Sequence, residues 1–128
     1  MSLRESILII DDDARNIFAL AAVLKSRGVP VISTMSARQG MNLLQTNKNI
    51  KAVLLDMMMP DMDGYETIQQ IREDENLMDL PIVAVTAQAM LGDRERILKA
   101  GASQYVSKPI DIDILMEVLN NFNEDYDR

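Results

Sequence analysis

Asp11, Asp12, Asp56, Thr86 and Lys108 are the residues of this chain whose types and order could do chemistry together. A carboxylate such as that of Asp56 can attack phosphorus and carry a phosphoryl group as an aspartyl phosphate. Three neighbouring carboxylates resist ionising together, since two unit charges about 4 Å apart repel by about 4 kcal/mol at an effective dielectric near 20. A divalent cation removes that conflict, and an all-oxygen site that keeps waters and shares a substrate phosphate suits magnesium, with manganese as its substitute. The expected ligands are Asp12 and Asp56 directly, Asp11 through water, and the main-chain carbonyl of Met58. Lys108 brings a compact positive charge to the phosphoryl oxygens, and Thr86 a hydroxyl donor.

Each of these residues ends a short apolar run: Ile7-Leu8-Ile9-Ile10, Ala52-Val53-Leu54-Leu55, Ile82-Val83-Ala84-Val85 and Gln104-Tyr105-Val106. Such runs, rich in Val and Ile and separated by helical patterns, read as buried strands of a parallel sheet. A further strand is expected at 29–32. The ligand site of such a sheet lies beyond the carboxyl ends of its strands, where these side chains would converge. Between the strands, Ile17, Leu20, Ala21 and Leu24 form a helical stripe that Gly28 ends, and Ser36 with Gln39 makes a capping box before Met41 and Leu44. Pro60 and Gly64 mark a loop before the stripe Tyr65, Ile68, Ile71. Helices are expected over 88–100, stopped by Gly101, and from Asp111 with Ile114, Leu115, Val118, Leu119 and Phe122 inward. The sum is five βα units in one domain, residues 1–128, with a core at 5–122 and a polar, fraying tail at 123–128.

The chain of 128 residues has no histidine and no cysteine. Imidazole catalysis, zinc-type ligation and disulfides are therefore excluded, and any chemistry runs on carboxylates, hydroxyls and lysine. A net charge of −7 argues against direct nucleic acid binding, which needs a basic face. No stretch approaches the roughly 20 apolar residues of a membrane span and no signal peptide precedes the first strand, so no membrane contact by this domain is expected.

Taken singly, these residues are ordinary: a lone Asp at a strand end is usually a cap, as Asp13 is expected to be, and a lone Thr or Lys a strand or surface residue. Their joint placement after successive strands carries the reading. The 10 methionines, Met57-Met58-Met59 among them, read as packing. Asp61-Met62-Asp63-Gly64 is a decoy twice over: a haloacid-dehalogenase nucleophile motif would follow its strand directly, and a calcium loop would start on Met59 and end on Gln70. A flavin phosphate would be repelled by Asp11-Asp12-Asp13.

The segments Ile7 to Asp13, Asp56-Met57-Met58-Met59-Pro60-Asp61-Met62-Asp63-Gly64, Val85-Thr86-Ala87 and Ser107-Lys108-Pro109 resemble the receiver domain of two-component response regulators. The resemblance implies a flavodoxin-like (βα)5 fold with strand order 2-1-3-4-5. It implies that Asp56 accepts a phosphoryl group from the phosphohistidine of a histidine kinase or histidine phosphotransfer protein, with Asp11 and Asp12 holding magnesium and Thr86 and Lys108 gripping the phosphoryl group. It further implies a cis Lys108-Pro109 bond, a switch in which Thr86 moves toward the phosphate while Tyr105 turns inward, and an influence of positions 58 and 88 on hydrolysis. The stretches Asp11 to Leu20, Met62 to Glu66 and Thr86 to Met90 are similar to receivers of hybrid sensor histidine kinases, which implies a cytoplasmic domain of a parent that a membrane can anchor. A free-standing regulator is the alternative. A magnesium-dependent aspartyl-phosphate phosphohydrolase and a degenerate, phosphate-independent receiver are the other readings; as an isolated domain the chain is expected to catalyse only its own phosphorylation and dephosphorylation.

Overall fold

Alternation along the strands decides the architecture, because successive side chains of a strand point to opposite faces. The computed structural model describes residues 6–60, 62–87 and 91–126. Its strands are β1 (Ser6–Ile10), β2 (Val31–Thr34), β3 (Ile50–Asp56), β4 (Ile82–Thr86) and β5 (Gln104–Ser107). Its helices are α1 (Ala14–Ser26), α2 (Ala37–Thr46), α3 (Gly64–Glu73), α4 (Leu91–Ala100) and α5 (Ile112–Tyr126). On one face Leu8, Ile10, Val53, Leu55, Ile82 and Ala84 pack with Leu44, Ile68, Ile71 and Ile97, which belong to α2, α3 and α4. On the other Ile7, Ile9, Ala52, Leu54, Val83 and Val85 pack with Leu20, Leu24, Leu115 and Leu119 from α1 and α5. Both faces are thus covered, as the continuous apolar runs require.

All strand pairs are parallel and the order is β2-β1-β3-β4-β5, the flavodoxin-like arrangement expected. Ile10 lies beside both Thr34 and Leu55, Asp56 beside Val85, and Thr86 beside Ser107. The strands therefore finish level, and the loops leaving their carboxyl ends gather along one edge of the sheet.

Helix starts are fixed by side chains that satisfy otherwise orphaned N–H groups, each worth about 1 kcal/mol. The Asp13 carboxylate accepts from the Arg15 and Asn16 amides, Asp63 from those of Tyr65 and Glu66, and Asp111 from those of Asp113 and Ile114. Asp63 is thus a cap, in keeping with the rejection of the calcium and dehalogenase motifs. The Ser36 hydroxyl accepts from Gln39 N at 3.0 Å, but the box is only half made. Gln39 Oε1 instead takes the hydroxyl of buried Thr34 at 2.8 Å, because that buried donor needs an acceptor more than the exposed helix start does.

Three further expectations are corrected. β2 begins at Val31, two residues later than the sequence indicates, since the Pro30 carbonyl serves as acceptor for Ile7 N and register sets Ile7 beside Val31. Ile114 is 53 % exposed, on the flank of α5 rather than its buried stripe. The polar segment from Asn123 remains helical to Tyr126.

Arg72 holds the end of the sheet opposite the site. From α3 its guanidinium donates to the carbonyls of Gly101 (2.9 Å), Met78 (3.0 Å) and Leu80 (2.7 Å) and to the Ser103 hydroxyl (3.3 Å). Gly101, at φ 123°, lies so close that a Cβ would meet Arg72 Cγ at 2.9 Å. Burial pushes the Arg72 pKa down, and the nearby Asp79 charge opposes that shift. Arg72→Ala is expected to cost about 2–3 kcal/mol in urea unfolding, because charged hydrogen bonds are lost and three carbonyls give up a partner; an unchanged midpoint would contradict this.

Candidate functional site

The level strand ends bring together the residues singled out from the sequence. Asp11 and Asp12 follow β1, Asp56 and Thr86 are the last residues of β3 and β4, and Lys108 follows β5. Carboxylate oxygens of Asp11, Asp12 and Asp56 all lie within 4.8 Å of one another. Asp11 and Asp56 are each only 4 % exposed, whereas Asp12 faces solvent.

Each buried carboxylate has its own supports. Asp11 accepts from Asp13 N at 2.9 Å and from the side-chain amide of Asn16 at 2.6 Å. Asp56 accepts from Met58 N at 2.9 Å and lies 3.3 Å from Lys108 Nζ. Burial raises the Asp56 pKa above the ordinary carboxylate value of 3.8; the Met58 amide works against this, the Asp11 charge adds to it, and the Lys108 ammonium opposes it. Three carboxylates against one ammonium leave the cleft anionic. The Lys108 N–H donates to the Thr86 carbonyl at 2.8 Å, which ties the ends of β4 and β5 together, and the Lys108-Pro109 bond is cis, as expected.

The residues after Asp56 lead from the site toward the start of α3. Met59 is buried and Met57 half-buried, and a Cβ on Gly64 would meet Met57 Sδ at 2.5 Å, so the Met57 side chain packs onto the start of α3 in the space that this glycine leaves. Met58 is exposed, with its sulfur 3.8 Å from the Thr86 hydroxyl. Its backbone stands at the site through the bond to Asp56. Gln88 lies outside the described residues. Tyr105 is half-buried on β5, beside Ala84 of β4.

The donor set fits a hard divalent cation. An octahedral ion with bonds of about 2.1 Å spans roughly 4.2 Å between opposite oxygens, so the three carboxylates are within a small adjustment of its coordination sphere. Asn16 was not singled out from the sequence. The available signal was its place in the first turn of α1, five residues after Asp11, where an amide can reach back to a carboxylate.

Residues 7–120 match the family described as the response regulator receiver domain. The chain belongs to that family. Among curated relatives, the polar-differentiation response regulator DivK of Brucella ovis is 30 % identical over 120 residues, covering 94 % of this chain and 97 % of that protein. Among solved structures, a putative response regulator from Chloroflexus aurantiacus shares 28 % identity with a TM-score of 0.85, covering 92 % of this receiver and 96 % of that chain. The receiver domain of a sensor histidine kinase from Pseudomonas aeruginosa shares 33 % identity with a TM-score of 0.83 over the same shares, and in that protein a magnesium ion is coordinated in the active-site cleft. This receiver is accordingly a module of two-component signalling, and no helix among its described residues is long and apolar enough to cross a membrane.

Proposed function

We propose that this receiver takes a phosphoryl group from a phosphohistidine onto Asp56 in a magnesium-dependent reaction and changes conformation in response. The observation that carries the reading is the meeting of three carboxylates with Lys108 at one edge of the sheet. An Asp56 carboxylate oxygen attacks phosphorus in line; the O–P bond forms as the N–P bond to the imidazole of the donor breaks. Met58 N holds the other Asp56 oxygen and so aims the attack. Lys108, already 3.3 Å from the carboxylate, pairs its ammonium with the phosphoryl oxygens as they arrive, and the Thr86 hydroxyl donates to them. Asp12, Asp56 and the Met58 carbonyl would hold a magnesium ion, with Asp11 acting through water, and the bound ion would neutralise charge on the transferring group. In the switch, Thr86 closes on the phosphoryl group and Tyr105 turns inward.

A protein donor fits the surroundings. α1, which begins just after Asp12 and Asp13, presents Phe18, 78 % exposed, with Ala19, Ala22 and Val23 on its outer face. Such an apolar surface bordering an anionic cleft suits a partner's helix, here that of a histidine kinase or phosphotransfer protein, in the cytoplasm. The likeness to the Pseudomonas kinase receiver supports a hybrid histidine kinase as the parent, with residues 1–128 as its receiver domain; the match to 97 % of DivK supports the second reading, a free-standing regulator. Kinase-coding sequence upstream in the same gene supports the first, and a stop codon there overturns it.

Incubation with acetyl phosphate and magnesium, followed by mass spectrometry, tests the acceptor: one phosphoryl group per chain, on Asp56, is expected. Steady turnover of a phosphomonoester would select a phosphohydrolase instead, and no label would leave only a phosphate-independent binding module. The lifetime of the product is expected to depend on Met58, whose apolar side chain beside Thr86 cannot orient a water. Met58→Asn should alter aspartyl-phosphate decay severalfold while still allowing formation, and superimposable single-turnover curves would exclude the role.

A further inference from the structure

Helix α4 is held between two aromatic rings by two arginines that leave it in opposite directions. Positions two apart on a helix project about 200° apart, so Arg94 and Arg96 point to different neighbours. The Arg96 guanidinium carbon sits 4.2 Å from the ring centre of Tyr65, in the first turn of α3, and that of Arg94 sits 5.2 Å from the ring centre of Tyr105 on β5. Both distances fall within the range where a cation is drawn to the face of an aromatic ring. Side-chain burial along α4 is otherwise slight: of residues 93–100 only Ile97 is fully buried.

The two contacts differ in what they can do. Tyr65 follows the Asp63 cap of its helix and belongs to the packed stripe of α3, so Arg96 is bound to a fixed partner. Tyr105 is half-buried at the margin of the same core, with its ring under an exposed guanidinium. If the ring turns inward, it leaves Arg94.

We propose that Arg94 is a latch on the switch: its contact with the Tyr105 ring holds the unphosphorylated conformation, while Arg96 on Tyr65 is the pivot that keeps α4 attached when the latch opens. Arg94 is thus a positioning residue that lowers the receiver's affinity for its own active state without touching the reacting atoms. The inference rests on the inward movement of Tyr105 proposed above. An interaction present in only one of two conformations shifts their equilibrium by its own strength, and a ligand that selects the other conformation feels that shift as lost affinity.

The test is binding of beryllofluoride, a phosphoryl mimic, in magnesium buffer by titration calorimetry. Arg94→Gln keeps helix propensity and removes the cation. It is expected to tighten binding about two- to fivefold, and to have no such effect in a Tyr105→Leu background. Arg96→Gln is expected to lower the melting temperature without tightening binding. Unchanged or weaker binding by Arg94→Gln overturns the latch, as does an equal effect in the Leu background or equal tightening by Arg96→Gln, which would mean only that α4 is loosened. The two readings separate on Tyr105→Leu: if it alters binding while Arg94→Gln does not, the switch stands and the latch falls, and if neither alters it, both fall.

Discussion

Asp56→Asn yields a receiver that takes up no phosphoryl group and, in magnesium-free buffer at neutral pH, melts at a higher temperature than the wild type. Loss of phosphorylation follows from the loss of the anionic nucleophile, while the amide keeps the shape of a side chain that is 4 % exposed. The gain in stability follows from the direction of the pKa shift. Burial raises the folded-state pKa of Asp56 above 3.8, and the Asp11 charge adds to this, so the folded protein binds the proton more tightly than the unfolded chain does. Where the folded state binds more protons, stability falls as pH rises. The cost of the buried charge is absent below the unfolded value near 3.8, develops as pH climbs to the raised folded value, and is fully present above it. The difference in melting temperature between Asn and Asp should therefore be small in acid, widen through that window and then level off. A mutant that melts below the wild type at neutral pH, or a difference that narrows as pH rises, would show that the pairing with Lys108 outweighs burial.

The site was legible in the sequence because a parallel sheet converts linear order into spatial proximity. Asp11, Asp56 and Thr86 each end a run whose burial on both faces leaves no choice but a strand, Lys108 follows the short edge strand β5 that pairs in register with β4, and level strand ends do the rest. Short or edge elements carried less information. Val29, Val31 and Ile32 are all apolar, so composition alone cannot say where β2 starts; pairing with β1 sets it. Ile114 is apolar and at helical spacing from Val118, yet it lies one step off the Leu115–Leu119 line that meets the sheet. The half-made capping box failed for another reason, because the partner that Gln39 prefers, Thr34, is buried by tertiary packing. Contacts between elements distant in sequence, such as Arg72 with Gly101 or Arg94 with Tyr105, have no local signature at all.

Asp12→Ala separates the metal from the fold more cleanly than any other change at the site. The Asp12 carboxylate is exposed and makes no hydrogen bond among the described residues, whereas Asp11 supports the amides of Asp13 and Asn16 and Asp56 supports that of Met58. Removing it disturbs no packing and relieves repulsion within the three-carboxylate cluster, so the metal-free variant should be at least as stable as the wild type. A ligand that binds only the folded state stabilises it by mass action, about 2.7 kcal/mol at one hundred times its dissociation constant. The wild-type melting temperature should accordingly climb with magnesium in the millimolar range, and that of Asp12→Ala should stay nearly flat. Phosphorylation by acetyl phosphate should fall on the order of a hundredfold, the usual loss when one fixed source of charge stabilisation is taken from a transferring group. Parallel magnesium titrations for the two proteins would place the cation elsewhere. A flat titration with undiminished phosphorylation would detach the metal from the reaction, since Asp56 and Lys108 remain in place in the variant.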